Sequence, residues 1–211
     1  METPKTSKIA WIVGAAALAL SAAFLSQRVL AGDDPPKAPP LTEEDMMKAW
    51  AEMSAPGENH KWLGAQVGSW TTTTKMWMAP GQPPREAAGT AEIRWLMEGR
   101  WIAEETSGEM MGMPFKGFGI HGYDNFKKKF VMSWVDSMGT ALLTAEGERD
   151  ASGKVLTMNG LMDEPMDGSK DKKVKYVLRV IDADNAIFEI HDMAIGEPNT
   201  KVIEVTYKRK K

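Results

Sequence analysis

The chain has 211 residues, with 26 Lys and Arg against 29 Asp and Glu, and no cysteine. A net charge of −3 argues against nucleic acid as the main partner, which is met by basic patches. With no cysteine there is neither a disulfide framework nor a thiolate metal site, so packing alone has to hold the fold.

The first 31 residues follow the order of a targeting segment. Lys5 and Lys8 precede an apolar run of 17 residues from Ile9 to Leu25, and Val29-Leu30-Ala31 then stands before an expected cut. As a helix the run would reach about 26 Å at ~1.5 Å per residue, short of a ~30 Å hydrocarbon core. We therefore expect a cleaved signal peptide and an exported protein, periplasmic or extracellular. The alternative keeps residues 9–25 as an inner-membrane anchor, the chain's only membrane contact. Residues 32–40, GDDPPKAPP, place four prolines in nine positions and read as a stiff, extended spacer. The remaining 41–211 is one domain by length.

A helix is expected over Leu41–Ser54. Thr42 caps it, Glu43, Glu44 and Asp45 face the positive end of its dipole, and Met46, Trp50 and Met53 form one apolar stripe. A shorter helix from about His60 to Val67 follows, with Asn59 as cap, Leu63 and Val67 on one face, and Gly68 as stop.

From Gly68 the apolar pattern has period two. Strands are expected at Ser69–Met78, Gly89–Met97, Arg100–Glu109, Phe115–Tyr123, Lys129–Asp136, Thr140–Arg149, Lys154–Met162, Lys173–Ile181, Ala186–Met193 and Thr200–Lys208. Turn-forming pairs such as Glu98-Gly99, Asp124-Asn125, Met138-Gly139 and Asp184-Asn185 separate them. The most legible pair is the hairpin over Phe115–Thr140, whose core is assigned to Phe118, Phe130 and Trp134. Ten strands without an intervening helix are antiparallel neighbours, and closing the meander removes its exposed edges. The fold class is therefore all-β: a closed antiparallel up-and-down barrel of about ten strands, with two short N-terminal helices over one mouth. A two-sheet sandwich is the runner-up.

Gly68-Ser69-Trp70, GTAEIRW (89–95), GEMMGMPFKGFG (108–119), GYDN and its lysines (122–129), WVDSMGT (134–140) and the closing Tyr207-Lys208-Arg209-Lys210 together resemble the bacterial family of unknown function numbered 1579. That family is often exported and placed among the calycin, lipocalin-like barrels. The resemblance implies the fold and transfers no site residues. Nitrobindin-like barrels open similarly and bind haem through a histidine on a late strand, where this chain has His191. The resembled family carries an aromatic there, so haem is not predicted.

Parity places Trp70, Thr72 and Thr74 on one face of the first strand, and Val205, Tyr207 and Arg209 on one face of the last. The barrel is expected to close through Gly68, Trp70, Tyr207 and Arg209. Three histidines without metal-ligand spacing predict no metal. The 16 methionines, with Met110, Met111 and Met113 in one loop, are soft enough for copper. They are read instead as a methionine-lined mouth or cavity wall, and no cofactor is predicted. Candidate ligand contacts are Arg94, His121, Trp134, Asp136, Glu189 and His191, polar or aromatic groups inside otherwise apolar strands. The function expected is a non-enzymatic binding module for a small apolar or amphipathic ligand. The alternatives are a small hydrolase or isomerase using Asp136, His121 or Glu189 as base, and a ligand-free structural envelope protein.

Overall fold

The computed structural model describes residues 41–198 and 200–211. The expected targeting segment and spacer, residues 1–40, lie outside the described residues. Two helices come first, α1 (Glu43–Ser54) and α2 (Glu58–Gly64), followed by ten strands: β1 (Gly68–Met76), β2 (Arg85–Leu96), β3 (Trp101–Met110), β4 (Met113–Asp124), β5 (Lys129–Asp136), β6 (Leu143–Arg149), β7 (Val155–Glu164), β8 (Ser169–Val180), β9 (Asn185–Asp192) and β10 (Lys201–Arg209). Each strand pairs antiparallel with its chain neighbours, and β1 pairs with β10, so the sheet is a closed barrel.

Local chemistry places the turns. In the β4–β5 hairpin one Asp124 carboxylate oxygen accepts from the Phe126 and Lys127 amides at 2.8 and 2.9 Å, which folds an Asx turn. The hairpin's core differs from expectation. Phe130 and Trp134 point inward, while Phe118 lies outward opposite Val135, because Gly117 and Gly119 hold the inward positions of β4. β2 begins four residues earlier than expected, at Arg85, and β6 three later, at Leu143. α2 is capped by Gly57 rather than Asn59. The Gly57 amide donates to Nδ1 of His60 at 3.0 Å, and Asn59 instead accepts from Arg149.

Both helices stand at the barrel end that carries the β2–β3, β4–β5 and β6–β7 turns, as expected, but only α2 closes it. α2 packs onto the barrel, with His60 and Leu63 buried. α1 buries no residue. It is tied at its last turn, where Asn125 donates to the Met53 and Ala55 carbonyls and Arg100 to that of Ser54. Its stripe of Met46, Trp50 and Met53 is exposed. The period of the stripe was readable, but nothing in the barrel lies against it to bury it.

Candidate ligand-binding site

The end of the barrel under α2 is plugged. Trp62 donates its indole N–H to the Gly153 carbonyl at 2.9 Å. Trp62 and Phe130 meet edge to face at 5.2 Å, and the Arg149 guanidinium lies against both rings, 5.1 and 5.5 Å from their centroids. Trp70 donates to the Gln66 carbonyl at 2.9 Å, just after the helix. Arg209 completes the plug. It pairs in register with Trp70, lays its guanidinium 4.1 Å from that ring, and donates to the carbonyls of Val67 and Ala65 at 2.7 Å and of Ala183 at 2.9 Å. Gly68 has φ +140°, and a Cβ there would overlap this guanidinium, so glycine is required on two counts. Tyr207 stands opposite Thr72 on the same seam and sets its ring edge-on to Trp70.

Beyond the plug the barrel is hollow. A cavity of about 560 Å³ runs from Leu63 and Gln66 beneath α2 to Met110, Phe115, Met138 and Met162 at the far end. That volume falls within the ~300–1,000 Å³ typical of small-molecule sites. Its two walls differ. On β5 and β7–β9 the wall is apolar, with Met132, Leu156, Met158 and Phe188. On β1, β3, β4 and β10 it carries Thr72, Glu104, Thr106, His121 and Tyr207.

Glu104 is the centre of the polar wall and only 8 % exposed. Tyr207 donates its hydroxyl to Oε1 at 2.8 Å, and His121 Nε2 lies 3.3 Å from Oε2. Burial first, and then the negative charge of Glu104, push the Tyr207 hydroxyl well above its usual range, so it stays a donor. Glycines shape the wall beside them. A Cβ on Gly119 would sit 2.8 Å from the Trp134 ring and 2.9 Å from His121 Nε2, and one on Gly117 would overlap Trp134. Trp134 therefore lies flat over backbone, its N–H donating to Asp136 at 3.0 Å. Four lining residues keep buried polar atoms without a hydrogen-bond partner: Gln66 Nε2, Thr106 Oγ1, His121 Nε2 and the hydroxyl of Tyr176. Tyr176 is 2 % exposed, and burial raises its hydroxyl above the usual value.

The far rim is built from the loops opposite α2. Met78, Met111, Met138, Met166 and Met193, all exposed, stand one on each of the five loops of this end, with exposed Met113 at the start of β4 beside them. Flexible thioethers at an opening suit ligands of varied shape.

The expected contacts divide by face. His121, Trp134 and Asp136 line the cavity. Arg94, Glu189 and His191 do not, and the expectation that put them inside is corrected. Arg94 is exposed on the outer face and pairs with Glu105 at 3.2 Å. Glu189 lies outside between Arg179 and Lys201, at 3.1 and 3.3 Å. Burial acts to raise its pKa, but these two cations outweigh it and hold the carboxyl below the usual range. His191 is beside it, its Nδ1 3.0 Å from the Thr200 hydroxyl, and burial followed by the Lys175 charge lowers its pKa. Glu189 is therefore removed from the bases that a cavity enzyme would use. Glu104 and Tyr176 were missed. Glu104-Glu105 held the signal, since two adjacent carboxylates on a strand cannot both face water.

The profile of a family described as a protein of unknown function (DUF1579) matches residues 55–209. No curated protein matches the chain. Among solved structures, the barrel is similar to the crystal structure of Rv2717c from M. tuberculosis, at 15% identity and a TM-score of 0.53, covering 74% of this chain and 100% of that one. It is also similar to a de novo designed fluorescence-activating β-barrel, at 12% identity and a TM-score of 0.40, covering 70% of this chain and 95% of that one. At 15% identity the likeness to Rv2717c is one of fold alone.

Proposed function

We propose, since the chain belongs to the DUF1579 family of unknown function, that the protein is a binding module holding one small apolar or amphipathic molecule in its barrel. The observation that carries this reading is the cavity of about 560 Å³, apolar on one wall and hydrogen-bonding on the other. A barrel stabilised only by its packing would be expected to fill that volume, because each empty methyl-sized void costs ~1 kcal/mol. The partnerless atoms of Thr106, His121 and Tyr176 add to it, since buried polar groups in native proteins are normally satisfied. The methionine rim opposite the α2 plug is the entrance. We further propose that the protein works outside the cytoplasm, delivered by residues 1–31. N-terminal sequencing tests this: a mature start near Gly32 supports cleavage, and Met1 in a membrane fraction replaces it with anchoring.

The binding role is tested by native mass spectrometry of protein purified from its own cells. One small-molecule adduct per chain is expected in the wild type, and none in Thr74→Trp, whose indole would occupy the lumen. A wild type without adduct across several conditions would favour a ligand-free structural barrel.

A further inference from the structure

The binding reading leaves the ligand's polar end unspecified, and the charges around the cavity constrain it. Two carboxylates face the lumen, Glu104 and Asp136; Glu109, exposed on the outward parity of β3, and Asp182, whose carboxylate is bonded within the β8–β9 turn, only border its ends. Among the described residues no lysine or arginine lines it, and His121 is its one basic side chain.

Glu104 is the informative member. Its carboxylate is set in a wall that is otherwise apolar or neutral, and its hydrogen-bonded partner is the neutral Tyr207 hydroxyl. His121 Nε2 stands near Oε2 but makes no hydrogen bond. A buried carboxylate is normally matched by a cation or several donors; here it has one hydrogen bond, from Tyr207, and the His121 imidazole at ion-pair distance, with no lysine or arginine. The outer face shows the contrast: Glu189, on the other side of the same wall system, is met by both Arg179 and Lys201. On one neighbouring strand Gly119 is opposite Glu104 in register, and Trp134 is opposite Gly119 on the next. With no Cβ on Gly119, the indole and His121 Nε2 both pack down over its backbone, so carboxylate, imidazole and indole border one stretch of the lumen. An acid beside an aromatic face is the arrangement that recognises an organic cation. Across the barrel, five strands away from β3, Tyr176 is stacked on Phe188 and keeps its buried hydroxyl without a partner.

We infer that the barrel selects a cationic amphiphile, a lipophilic amine whose protonated nitrogen meets the Glu104 carboxylate on its lumen side, near Trp134, and whose apolar body lies along Met132, Met158 and Phe188. A fatty acid of the same length is disfavoured by charge: its carboxylate would face Glu104 and Asp136, and the one basic side chain of the lumen, His121, already stands against Glu104. This inference rests on the proposed binding role and deepens it.

The test is displacement of N-phenyl-1-naphthylamine, an uncharged fluorescent probe, by octylamine, 1-octanol and octanoate on the full mature chain at neutral pH. Each has eight carbons; the octanoate carboxyl takes one of them, so its tail is one methylene shorter, a difference of about fourfold that the expected margin exceeds. Octylamine is expected to displace the probe at a concentration at least about tenfold below octanoate, with octanol between them. Glu104→Gln, which keeps size and the Tyr207 contact, should bring the three within about fourfold of one another. Octanoate matching or surpassing octylamine, or the ranking surviving unchanged in Glu104→Gln, overturns the inference while leaving the binding role intact. The wild-type ranking decides the matter even if the variant does not fold. A probe that saturates but is displaced by none of the three also overturns the inference alone. A probe that never saturates removes the binding role and the inference together.

Discussion

The seam between β1 and β10 makes a quantitative claim about two residues 141 positions apart, Gly68 and Arg209. Arg209→Ala removes a guanidinium stacked on Trp70 and hydrogen bonds to three carbonyls. The stacking is worth ~0.5–2 kcal/mol, and charge-assisted hydrogen bonds ~1.5–3 kcal/mol each before water recovers the exposed carbonyls. Since the side chain remains 24 % exposed, we expect a net loss of about 3 kcal/mol, a fall in Tm of roughly 6–12 °C for a domain of this size. Gly68→Ala should be about as damaging, because the new Cβ overlaps the same guanidinium and φ +140° is strained for any L side chain. In the double variant the overlap is gone and only the backbone strain of ~1–3 kcal/mol remains. The two losses should therefore be sub-additive, by about 1 kcal/mol in a double-mutant cycle read from tryptophan-monitored urea melts. Additivity within ~0.5 kcal/mol would mean the residues do not touch, and the closure of the barrel at this end would be wrong.

Three further outcomes follow from individual residues. Tyr176→Phe removes a buried hydroxyl that has no partner; it should leave stability unchanged or raise it by up to ~1 kcal/mol in urea melts, instead of the loss expected of a satisfied hydroxyl. Gly147→Ala should cost ~2 kcal/mol or more, because its Cβ would overlap backbone of β7 at Thr157 and Met158, whereas Ala at Gly112, in open space with φ +79°, should cost only ~1 kcal/mol. His60 titrates with its pKa lowered below the usual 6.5, chiefly by burial. A folded-state value below the unfolded one means the unfolded chain binds more protons in this window, so His60's contribution is present above pH 6.5 and is lost as pH falls toward the folded value. Tm measured from pH 7 downward should drop in that window, and His60→Gln should flatten the slope.

The barrel was legible because each strand alternates and each turn announces itself, Asp124-Asn125 most clearly. Parity alone placed Trp70 and Arg209 on facing strands, and their register pairs them. What failed was the phase of strands that are apolar on both faces. In β9, Ile187 and Phe188 are consecutive, so the pattern cannot say which looks inward. Phe188 and Ile190 do, and Glu189 and His191 therefore look out. The partners that define Glu189 come from β8 and β10, which only register reveals. α1 shows the opposite failure, since its stripe has helical spacing but finds no partner surface among the described residues. The hollowness of the lumen depends on how inward side chains fill a closed cross-section, and no linear pattern carries that.

The central claim, that the barrel is a one-site receptor for a small molecule, is tested most directly by titrating N-phenyl-1-naphthylamine into the mature protein while following probe emission, tryptophan quenching and Tm. The account predicts saturation at one probe per chain, and at about a hundredfold excess over Kd a stabilisation of ~2.7 kcal/mol, roughly 5–10 °C in Tm, both abolished in Thr74→Trp. Emission that rises without saturating, with Tm unchanged, would contradict it.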